Sequence, residues 1–407
     1  MIHFDEYTPI VGETVTDELR LLADRLKDTT VCHINSTPVG GGVAEILMRM
    51  VPLLNELGVH TDWTVIKGGE RFYAVTKKFH NALHGVKQDF TDDDFDAYRA
   101  AQEDNLAQMA LDADIMFIHD PQPAGLVAHK RKAGNRWIWR CHIDVSNPDP
   151  RVWNFLAPFV EQYDASVFSA PSFAQRLAVR QVLIAPSIDP LSDKNRELPQ
   201  DVIDGVLDRL KIPRDRPLIT QVSRFDRLKD PLGVIEAFRL ARAYVDAHLL
   251  LVGGSADDDP EGAQVLAEIR GQVDGDPDIT VLELPPTSHI EVNAIQRAST
   301  LILQKSIKEG FGLTVSEALW KGKPVIAGAV GGIPLQITHR HSGILTHSIE
   351  GTAYWIKQLL HEPEYAAKLG KNGREHVREH FLLTRHLRDY LLVFLSLKYP
   401  GKDFVYL

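Results

Sequence analysis

The stretch VCHINSTPVGGGVAEIL, residues 31–47, decides the fold class of this chain. Residues 31–35 form a short apolar run typical of a buried strand, and residues 43–47 have the pattern of a helix. Three consecutive glycines stand between them. A strand followed by a glycine-containing turn and a helix is the first part of a β-α-β unit, and the same alternation recurs along the chain. The sequence therefore predicts parallel sheets.

Twelve such runs are rich in β-branched residues and are separated by longer segments with helical periodicity. The six in the first half are 31–35, 63–66, 115–119, 137–143, 166–168 and 182–185, and the six in the second half are 218–222, 248–253, 280–282, 301–304, 324–327 and 343–345. Two sets with their own helices predict an α/β protein of two doubly wound, Rossmann-like domains that face a cleft.

Prolines mark the predicted domain boundary. Five of them lie between residues 186 and 217, which predicts a linker over 189–217 between domains 1–188 and 218–383. Residues 384–397 carry apolar side chains at the spacing of an amphipathic helix. The pattern indicates one buried stripe, and it leaves open which domain that helix packs on.

Composition excludes several classes of protein. The 407 residues are 44% hydrophobic and 25% charged, as in ordinary globular proteins, and the formal net charge is −10. An acidic protein has no net positive potential that would attract nucleic acid or an anionic membrane. The first residues are acidic rather than those of a signal peptide, so we expect a cytoplasmic protein. Cys32 and Cys141 lie in strand-like runs, and we expect buried, unreactive thiols.

Two glycine-containing turns have the pattern of anion sites. Gly40, Gly41 and Gly42 follow the first predicted strand and precede a helix, where free backbone amides and the helix dipole favour a phosphate. A merely flexible turn is the alternative. Gly310 and Gly312 stand in the same way between a predicted strand and a helix.

Charged residues follow two predicted strands of the second half. Arg224 and Lys229 come after 218–222 and offer fixed positive charge to a diphosphate, with solvated surface charge as the alternative. Glu309 and Glu317 flank the glycine turn about 12 Å apart if the stretch is wholly helical. This separation exceeds that of a hydrolase pair, so we expect separate tasks, each carboxylate accepting sugar hydroxyls.

Polar residues also follow two predicted strands of the first half, where ligands of open α/β sheets bind. His119 and Asp120 end one strand, and Arg140, His142 and Asp144 lie at the end of the next. A single histidine is more often a core residue, and that alternative stays open for both histidines here.

Glu309 and Glu317, with seven residues between them, resemble the paired glutamates of retaining glycosyltransferases of the two-Rossmann-domain (GT-B) type, the large family that includes sucrose and glycogen synthases. Longer stretches are more specific. Residues 35–47, 119–123, 139–144 and 221–226 resemble trehalose glycosyltransferring synthases, which join a nucleotide-activated glucose to free glucose and form α,α-trehalose. The resemblance covers nearly the whole chain and implies that the C-terminal helix, 384–407, packs back on the N-terminal domain.

The resemblance also assigns residues to a donor and an acceptor. The implied catalytic residues are Arg224, Lys229, Glu309 and His142. The implied donor-binding residues are Gly40, Gly41, Gly42, Gly310, Phe311, Gly312, Leu313, Thr314 and Glu317. The acceptor-side residues are His119, Asp120, Arg140 and Asp144. One departure from the family pattern is visible: Arg227-Leu228 and Asp230-Pro231 flank Lys229, which leaves the conformation of this phosphate loop open.

The implied partners are a nucleotide-glucose, either ADP- or UDP-glucose, and glucose as the acceptor. We expect no required cofactor and no metal, although Mg²⁺ could stimulate by binding free nucleotide. The alternatives are a retaining trehalose phosphorylase, a same-family transferase with another acceptor, and a non-catalytic two-domain sugar-binding protein. The sequence leaves open whether the protein forms a homodimer. We expect neither nucleic acid nor a membrane as a partner.

Overall fold

The computed structural model describes residues 3–39, 42–130, 134–254 and 260–401. The chain divides into two compact units. Unit 1 comprises the described residues up to Pro186 together with those from Leu383 onward, and unit 2 is Ser187–Leu382. Each contains one six-stranded sheet whose neighbouring strands are parallel. The prediction of two doubly wound α/β folds is therefore confirmed.

The sheet of unit 1 has the strand order β2-β1-β3-β4-β5-β6. Its strands are β1 Thr30–Asn35, β2 His60–Val65, β3 Ile115–His119, β4 Arg136–Cys141, β5 Ala165–Phe168 and β6 Arg180–Leu183. Its helices before the crossing to unit 2 are α1 Thr8–Val11, α2 Glu13–Asp24, α3 Gly42–Glu56, α4 Glu70–Leu83, α5 Asp92–Leu106 and α6 Pro150–Val160, with short 3₁₀ helices at Phe4–Tyr7, Ala124–His129 and Pro171–Phe173.

The sheet of unit 2 has the strand order β12-β11-β10-β7-β8-β9. Its strands are β7 Leu218–Val222, β8 His248–Gly253, β9 Ile279–Glu283, β10 Leu301–Gln304, β11 Val325–Gly328 and β12 Ile344–Thr346. Its helices are α7 Gln200–Arg209, α8 Pro231–Ala241, α9 Pro260–Val273, α10 His289–Ala298, α11 Leu313–Trp320, α12 Ile333–Gln336, α13 Ile349–His361 and α14 Pro363–His380, with a 3₁₀ turn at Arg227–Lys229.

The structure corrects the prediction of a linker over 189–217. This segment belongs to unit 2 and contains the helix α7. Asn293 and Arg297 of α10 donate hydrogen bonds to backbone carbonyls of residues 193–196, which holds the start of the segment on the unit. Pro199 stands at the N-cap of α7, where proline is compatible with helix initiation, so proline marked a helix start here rather than a flexible connection.

The last helix, α15, spans Leu383–Lys398 and belongs to unit 1, as the resemblance implied. It packs against α2 and α3. Its predicted apolar stripe is buried: Leu387, Tyr390, Leu391, Phe394 and Leu395 are each at most 3% exposed. Burial of this stripe supplies the hydrophobic stabilisation that keeps α15 on the unit.

Cys32 and Cys141 are free and buried, as predicted. Burial raises the pKa of Cys32 to about 11 and that of Cys141 further, which makes both poor nucleophiles at neutral pH. Among the described residues, no helix has both the length and the apolar character that crossing a membrane requires.

Candidate functional site

The turn between β10 and α11 in unit 2 is built around a buried ion pair. Glu309 Oε2 accepts hydrogen bonds from Lys229 Nζ at 2.5 Å and from Ser306 Oγ at 3.2 Å. The side chains of Glu309 and Lys229 are only 9% and 17% exposed. A carboxylate and an ammonium at this distance and burial hold each other in place, so the turn carries two oppositely charged groups in a fixed geometry.

Lys229, one member of that ion pair, comes from the loop after β7. Asp226 Oδ1 accepts the amide of Leu228 at 2.7 Å and caps the 3₁₀ turn that contains Lys229. Gln221 Nε2 donates to the carbonyl of Lys229 at 2.8 Å, and the amide of Ile307 donates to the carbonyl of Leu228 at 2.9 Å. These bonds tie the loops after β7 and β10 into one structure.

Asp230 determines the conformation of the loop after Lys229, where the sequence departs from the family pattern. Its backbone is left-handed, with φ of 51°, and its Oδ1 accepts the amide of Gly233 at 3.1 Å, which caps α8. Lys305 Nζ contacts its Oδ2. Aspartate tolerates the left-handed region better than most side chains, so Asp230 closes this loop in an ordinary conformation.

Arg224 is exposed, in contrast to Lys229. Its side chain is 63% exposed, and Nη2 lies 3.3 Å from Asp226 Oδ2. One carboxylate therefore orients the guanidinium while leaving most of its planar donor fork accessible. That is the arrangement required to receive an anion from solvent.

Glu317 lies inside α11 and is 4% exposed. Its Oε1 is 3.8 Å from Lys194 Nζ, which comes from the segment first predicted as a linker. One turn later, Lys321 donates to Asn195 Oδ1 at 3.0 Å and to the carbonyl of Glu317 at 3.1 Å. Burial lowers the pKa of Lys321 to about 7. Glu309 and Glu317 thus have different partners, and their separate tasks stay a prediction.

Glycines from β11 and the following turn pack directly on the Glu309 turn. A Cβ on Gly331, whose φ is 55°, would lie 1.6 Å from the carbonyl oxygen of Glu309. The amide of Gly332 donates to the carbonyl of Gly310 at 3.0 Å. Gly312 is the N-cap of α11 with φ of 80°, as expected for a glycine turn into a helix. The backbone at Gly310–Gly312 is therefore held in place from outside the turn.

Buried polar side chains hold the start of α11. Gln336 Nε2 donates to the carbonyl of Phe311 at 2.5 Å, and Gln336 Oε1 accepts from Ser316 Oγ at 2.6 Å. Thr314 Oγ1 donates to Gln304 Oε1 at 3.2 Å. The predicted donor-side residues Phe311, Leu313 and Thr314 therefore lie on a rigid helix start.

In unit 1, side chains from three adjacent strands share one face of the sheet. His33 pairs with Phe117 in the register of β1 and β3, and His119 pairs with Arg140 in that of β3 and β4. Because side chains alternate between faces, His119 lies on the face of Phe117, and His142 lies on the face of Arg140. His33 Nδ1 is 2.9 Å from His119 Nε2, and His119 Nδ1 is 3.1 Å from His142 Nε2.

Asp120 follows β3 with a left-handed backbone, φ 66°. Its Oδ1 accepts the amide of His142 at 2.7 Å, and its own amide donates to the carbonyl of Arg140 at 2.7 Å. Loss of hydration raises the pKa of Asp120 to about 7, although the His142 amide and the Arg140 charge both lower it. Trp139 Nε1 donates to its carbonyl at 3.0 Å, which fixes the backbone at this position.

Two of the predicted acceptor-side residues are almost fully buried. Arg140 has no exposed surface, and its Nη2 donates to Ser169 Oγ at 3.3 Å. His119 is 2% exposed, and both of its ring nitrogens are occupied by neighbouring histidines. His119 has no free ring nitrogen, whereas Arg140 keeps Nε and Nη1 buried without a hydrogen-bond partner among the described residues. Asp120 and His142, in contrast, retain partial exposure, and the acceptor-side roles of His119, Asp120 and Arg140 stay predictions.

Asp144 is 5% exposed, and its Oδ1 accepts the amide of Ser146 at 2.9 Å. It therefore shapes the turn after β4. Of the first glycine turn, Gly40 and Gly41 lie outside the described residues, and Gly42 is the first residue of α3.

Several residues of these sites were missed from the sequence. His33 lies in the middle of β1, where it read as strand, and Lys194 lay in the presumed linker. Ser306 and the Gly331-Gly332 pair were also overlooked. The glycine pair follows a predicted strand, and this signal could have indicated a close approach of two backbones.

Comparison with known proteins assigns the family. Residues 33–175 match the family model "Trehalose synthase, N-terminal domain", and residues 206–376 match "Glycosyl transferases group 1". The chain is 44% identical over 402 residues to a trehalose synthase of Rubrobacter xylanophilus, covering 96% of each protein. The chain belongs to the trehalose synthase family of glycosyltransferases.

More distant relatives agree with this family assignment. A trehalose phosphorylase of Pleurotus pulmonarius is 30% identical, and the match covers 92% of this chain but 58% of that longer protein. The solved structure of sucrose-phosphate synthase from Thermosynechococcus elongatus aligns with a TM-score of 0.71 at 20% identity, covering 91% of this chain and 99% of that one. The predicted GT-B glycosyltransferase fold is thereby confirmed, as is the resemblance to the trehalose synthase family.

Proposed function

We propose that this member of the trehalose synthase family transfers glucose from a nucleotide-glucose to the anomeric hydroxyl of free glucose, with retention, to form α,α-trehalose. The observation that carries the proposal is the Lys229–Glu309 pair, in a turn that the loop of Arg224 helps to build. Together they present a fixed cation, an accessible guanidinium and a carboxylate, which suit a diphosphate attached to a sugar.

In the proposed reaction, the bond from the glucose C1 to the donor phosphate oxygen breaks as C1 acquires oxocarbenium character. The acceptor hydroxyl attacks C1 from the same face, and its proton passes to the departing phosphate oxygen. One C–O bond breaks and one forms, and the nucleoside diphosphate leaves with the proton. The α configuration is retained because entry and departure share a face.

The residues of unit 2 stabilise the charge that grows on the leaving diphosphate. Arg224 and Lys229 provide the cations, and the start of α11 provides backbone amides at a positive helix end. Glu309 holds Lys229 in place and accepts hydroxyls of the transferred glucose, whereas Glu317 accepts ribose hydroxyls. Fixed cations perform the charge neutralisation in this scheme, so it requires no metal.

The acceptor side is proposed for unit 1. His142 serves the C6 hydroxyl of the donor glucose, and Asp120 is the proposed ligand of the acceptor. Because their surroundings fix both side chains, binding either sugar requires little reorganisation of them. His119 contacts His142 directly, and Arg140 keeps two guanidinium nitrogens without a partner among the described residues.

The decisive experiment mixes the protein with ADP-glucose or UDP-glucose and ¹³C-labelled glucose, and follows nucleotide release together with the NMR spectrum of the product. We expect labelled α,α-trehalose in step with nucleotide release. Activity that depends strictly on inorganic phosphate would instead identify a trehalose phosphorylase. Nucleotide release with a different product would support the donor assignment but refute glucose as the acceptor.

The Arg224→Ala variant tests the donor assignment. We expect turnover to fall about a hundredfold, since removal of one preorganised donor at a developing charge costs roughly 3 kcal/mol. Arg270→Ala is the matched control, because Arg270 has similar exposure, 57%, and pairs with Glu283 on the surface of unit 2. Near-normal turnover of Arg224→Ala would remove Arg224 from the mechanism.

A further inference from the structure

Three histidines in unit 1 form a continuous hydrogen-bonded chain of rings. His33, His119 and His142 are joined through two ring–ring hydrogen bonds of 2.9 and 3.1 Å. The first two rings are 0% and 2% exposed, and only His142 at the end of the chain has appreciable exposure. This histidine chain therefore connects the interior of the unit with His142, which the proposed function places against the donor sugar.

The rings are held tightly by their surroundings. Phe117, Tyr390 and Phe394 pack against His33 with centroid distances of 4.9, 6.3 and 6.4 Å. His119 stacks on His142 at 5.4 Å with 18° between the ring planes. Two of the packing residues come from α15, so this helix contributes to the ring geometry. The bonded geometry is therefore enforced from outside the histidines.

The surroundings of all three rings favour the neutral imidazole at pH 7. Burial lowers the pKa of His33 to about 3. Burial and the neighbouring His33, His142, Arg140 and His386 lower that of His119, and burial and Arg140 lower that of His142. A neutral imidazole has one N–H donor and one bare acceptor nitrogen. Each ring–ring bond then needs a donor on one side and an acceptor on the other, so the tautomer of one ring dictates that of the next.

The buried end of the histidine chain, His33, determines the direction of its hydrogen bonds. His33 Nε2 is buried and has no hydrogen-bond partner among the described residues. A proton on Nε2 would leave a buried N–H unsatisfied, and orphaned buried N–H groups are rarer than under-satisfied acceptors. The surroundings therefore favour a proton on Nδ1 of His33 that is donated to His119 Nε2. His119 then carries its proton on Nδ1 and donates it to His142 Nε2.

We propose that His33 and His119 are positioning residues that lock His142 as the Nδ1–H tautomer, with its Nε2 occupied as an acceptor. His142 then presents one N–H donor of defined direction to an oxygen of the bound donor glucose. The role assigned to this donor rests on the proposed function, whereas the tautomer itself does not. A second tautomer of His142 would turn the same position into an acceptor and lose that contact.

The tautomer is measured directly on the whole protein with ¹⁵N-labelled histidine, without substrate. Long-range ¹H–¹⁵N correlation spectra distinguish protonated from bare ring nitrogens, and the signals of His142 are assigned with His142→Gln. We expect a protonated Nδ1 and a bare Nε2 in His142. A proton on Nε2 overturns the proposal, whatever reaction the enzyme catalyses.

Two substitutions of His33 separate hydrogen bonding from packing. His33→Phe fills the apolar cage and has no donor, whereas His33→Asn leaves a cavity but keeps an amide N–H close to the position of Nδ1. We expect His33→Phe to mix the His142 tautomers and to lower kcat about tenfold, comparable with the loss of a partner that orients a metal ligand. The donor KM should change less, and His33→Asn should recover at least about threefold of kcat.

The opposite order, with His33→Phe equal to wild type and His33→Asn impaired, would show that His33 only fills space and would refute the positioning role. Tyr390→Phe is the control: its ring also contacts His33, and its hydroxyl has no hydrogen-bond partner among the residues described. We expect it to keep the wild-type tautomer and kcat. If no sugar transfer is found in the wild type, the proposed function fails while the spectra still test the tautomer.

Discussion

The Lys229–Glu309 pair shows at the scale of single residues how stability and chemistry share one contact. Both side chains are largely buried, and each satisfies the charge of the other at 2.5 Å. The pair lies in the turn that the proposed function assigns to the donor. An unpaired charge at this burial is strongly destabilising, whereas removal of both charges is tolerated far better.

We expect Lys229→Met to abolish detectable transfer and to destabilise unit 2 by about 3 kcal/mol, because the buried Glu309 loses its ion-pair partner. The double variant Lys229→Met/Glu309→Gln should regain much of that stability and stay inactive. Thermal unfolding and the transfer assay measure the two effects separately. A double variant less stable than Lys229→Met would show that the pair does not act through charge compensation.

Asp120 provides a pH-dependent prediction at the same scale. Its pKa is about 7 in the folded protein, against an ordinary value of 3.8. The folded state thus binds the proton more tightly than the unfolded chain, so the contribution of Asp120 is largest below about pH 4. That contribution is lost as the pH rises to about 7, in total roughly 4 kcal/mol.

Asp120→Asn removes this dependence, since the amide keeps an oxygen for the His142 amide and asparagine tolerates a left-handed backbone. We expect the stability of Asp120→Asn relative to wild type to increase from about pH 4 to pH 7 and to level off above that range. Unfolding experiments across this range measure the difference. A difference that is constant or grows toward low pH contradicts the raised pKa.

Packing between elements positions the turn that contains Glu309. The turn after β11 passes so close to the loop after β10 that Gly331 has no room for a side chain. Sheet order places these two strands side by side. The geometry of Glu309 and the start of α11 therefore depends on a neighbouring element that is more than 20 residues away in sequence.

Gly331→Ala should displace the Glu309 carbonyl and reduce transfer at least about a hundredfold, the effect of misplacing a reacting group by about 1 Å. Gly275→Ala is a matched control, because Gly275 also has a positive φ, 71°, but nothing lies within 4 Å of an added Cβ. It should lose about 1 kcal/mol of stability and keep its activity. Equal activities of the two variants would show that the close approach does not position the turn.

At the scale of the whole molecule, the chain enters unit 2 after Pro186 and returns to unit 1 at Leu383. Unit 1 is thus completed by a helix from the far end of the sequence. Each unit buries its own sheet and helices, and the core of unit 2 includes Leu359 of α13. Separate cores predict separate contributions to stability.

Leu391 of α15 and Leu359 are 0% and 1% exposed and form a matched pair for this test. Each Leu→Ala substitution should cost about 3 kcal/mol through lost burial and the cavity that remains. In calorimetry, Leu391→Ala should lower the transition of unit 1 only, and Leu359→Ala that of unit 2 only. A common shift of one transition in both variants would contradict independent cores.

The sequence by itself determined the features that depend on local pattern. All twelve predicted strands are present, because short β-branched runs between helical segments report a buried parallel strand directly. The buried stripe of α15 followed from its helical spacing. Arg224, Lys229 and Glu309 were predicted because they follow strands, where the topology of open α/β sheets places ligands.

Only the tertiary structure decided what depends on contacts between distant residues. No local pattern could show that Lys229 meets Glu309, that Gly331 supports the same turn, or that residues 193–197 rest on unit 2. Only the folded structure showed that His119 and Arg140 are buried in unit 1. His33 read as an ordinary strand residue, since its partner His119 is 86 positions away and comes within 2.9 Å only when β1 and β3 pair.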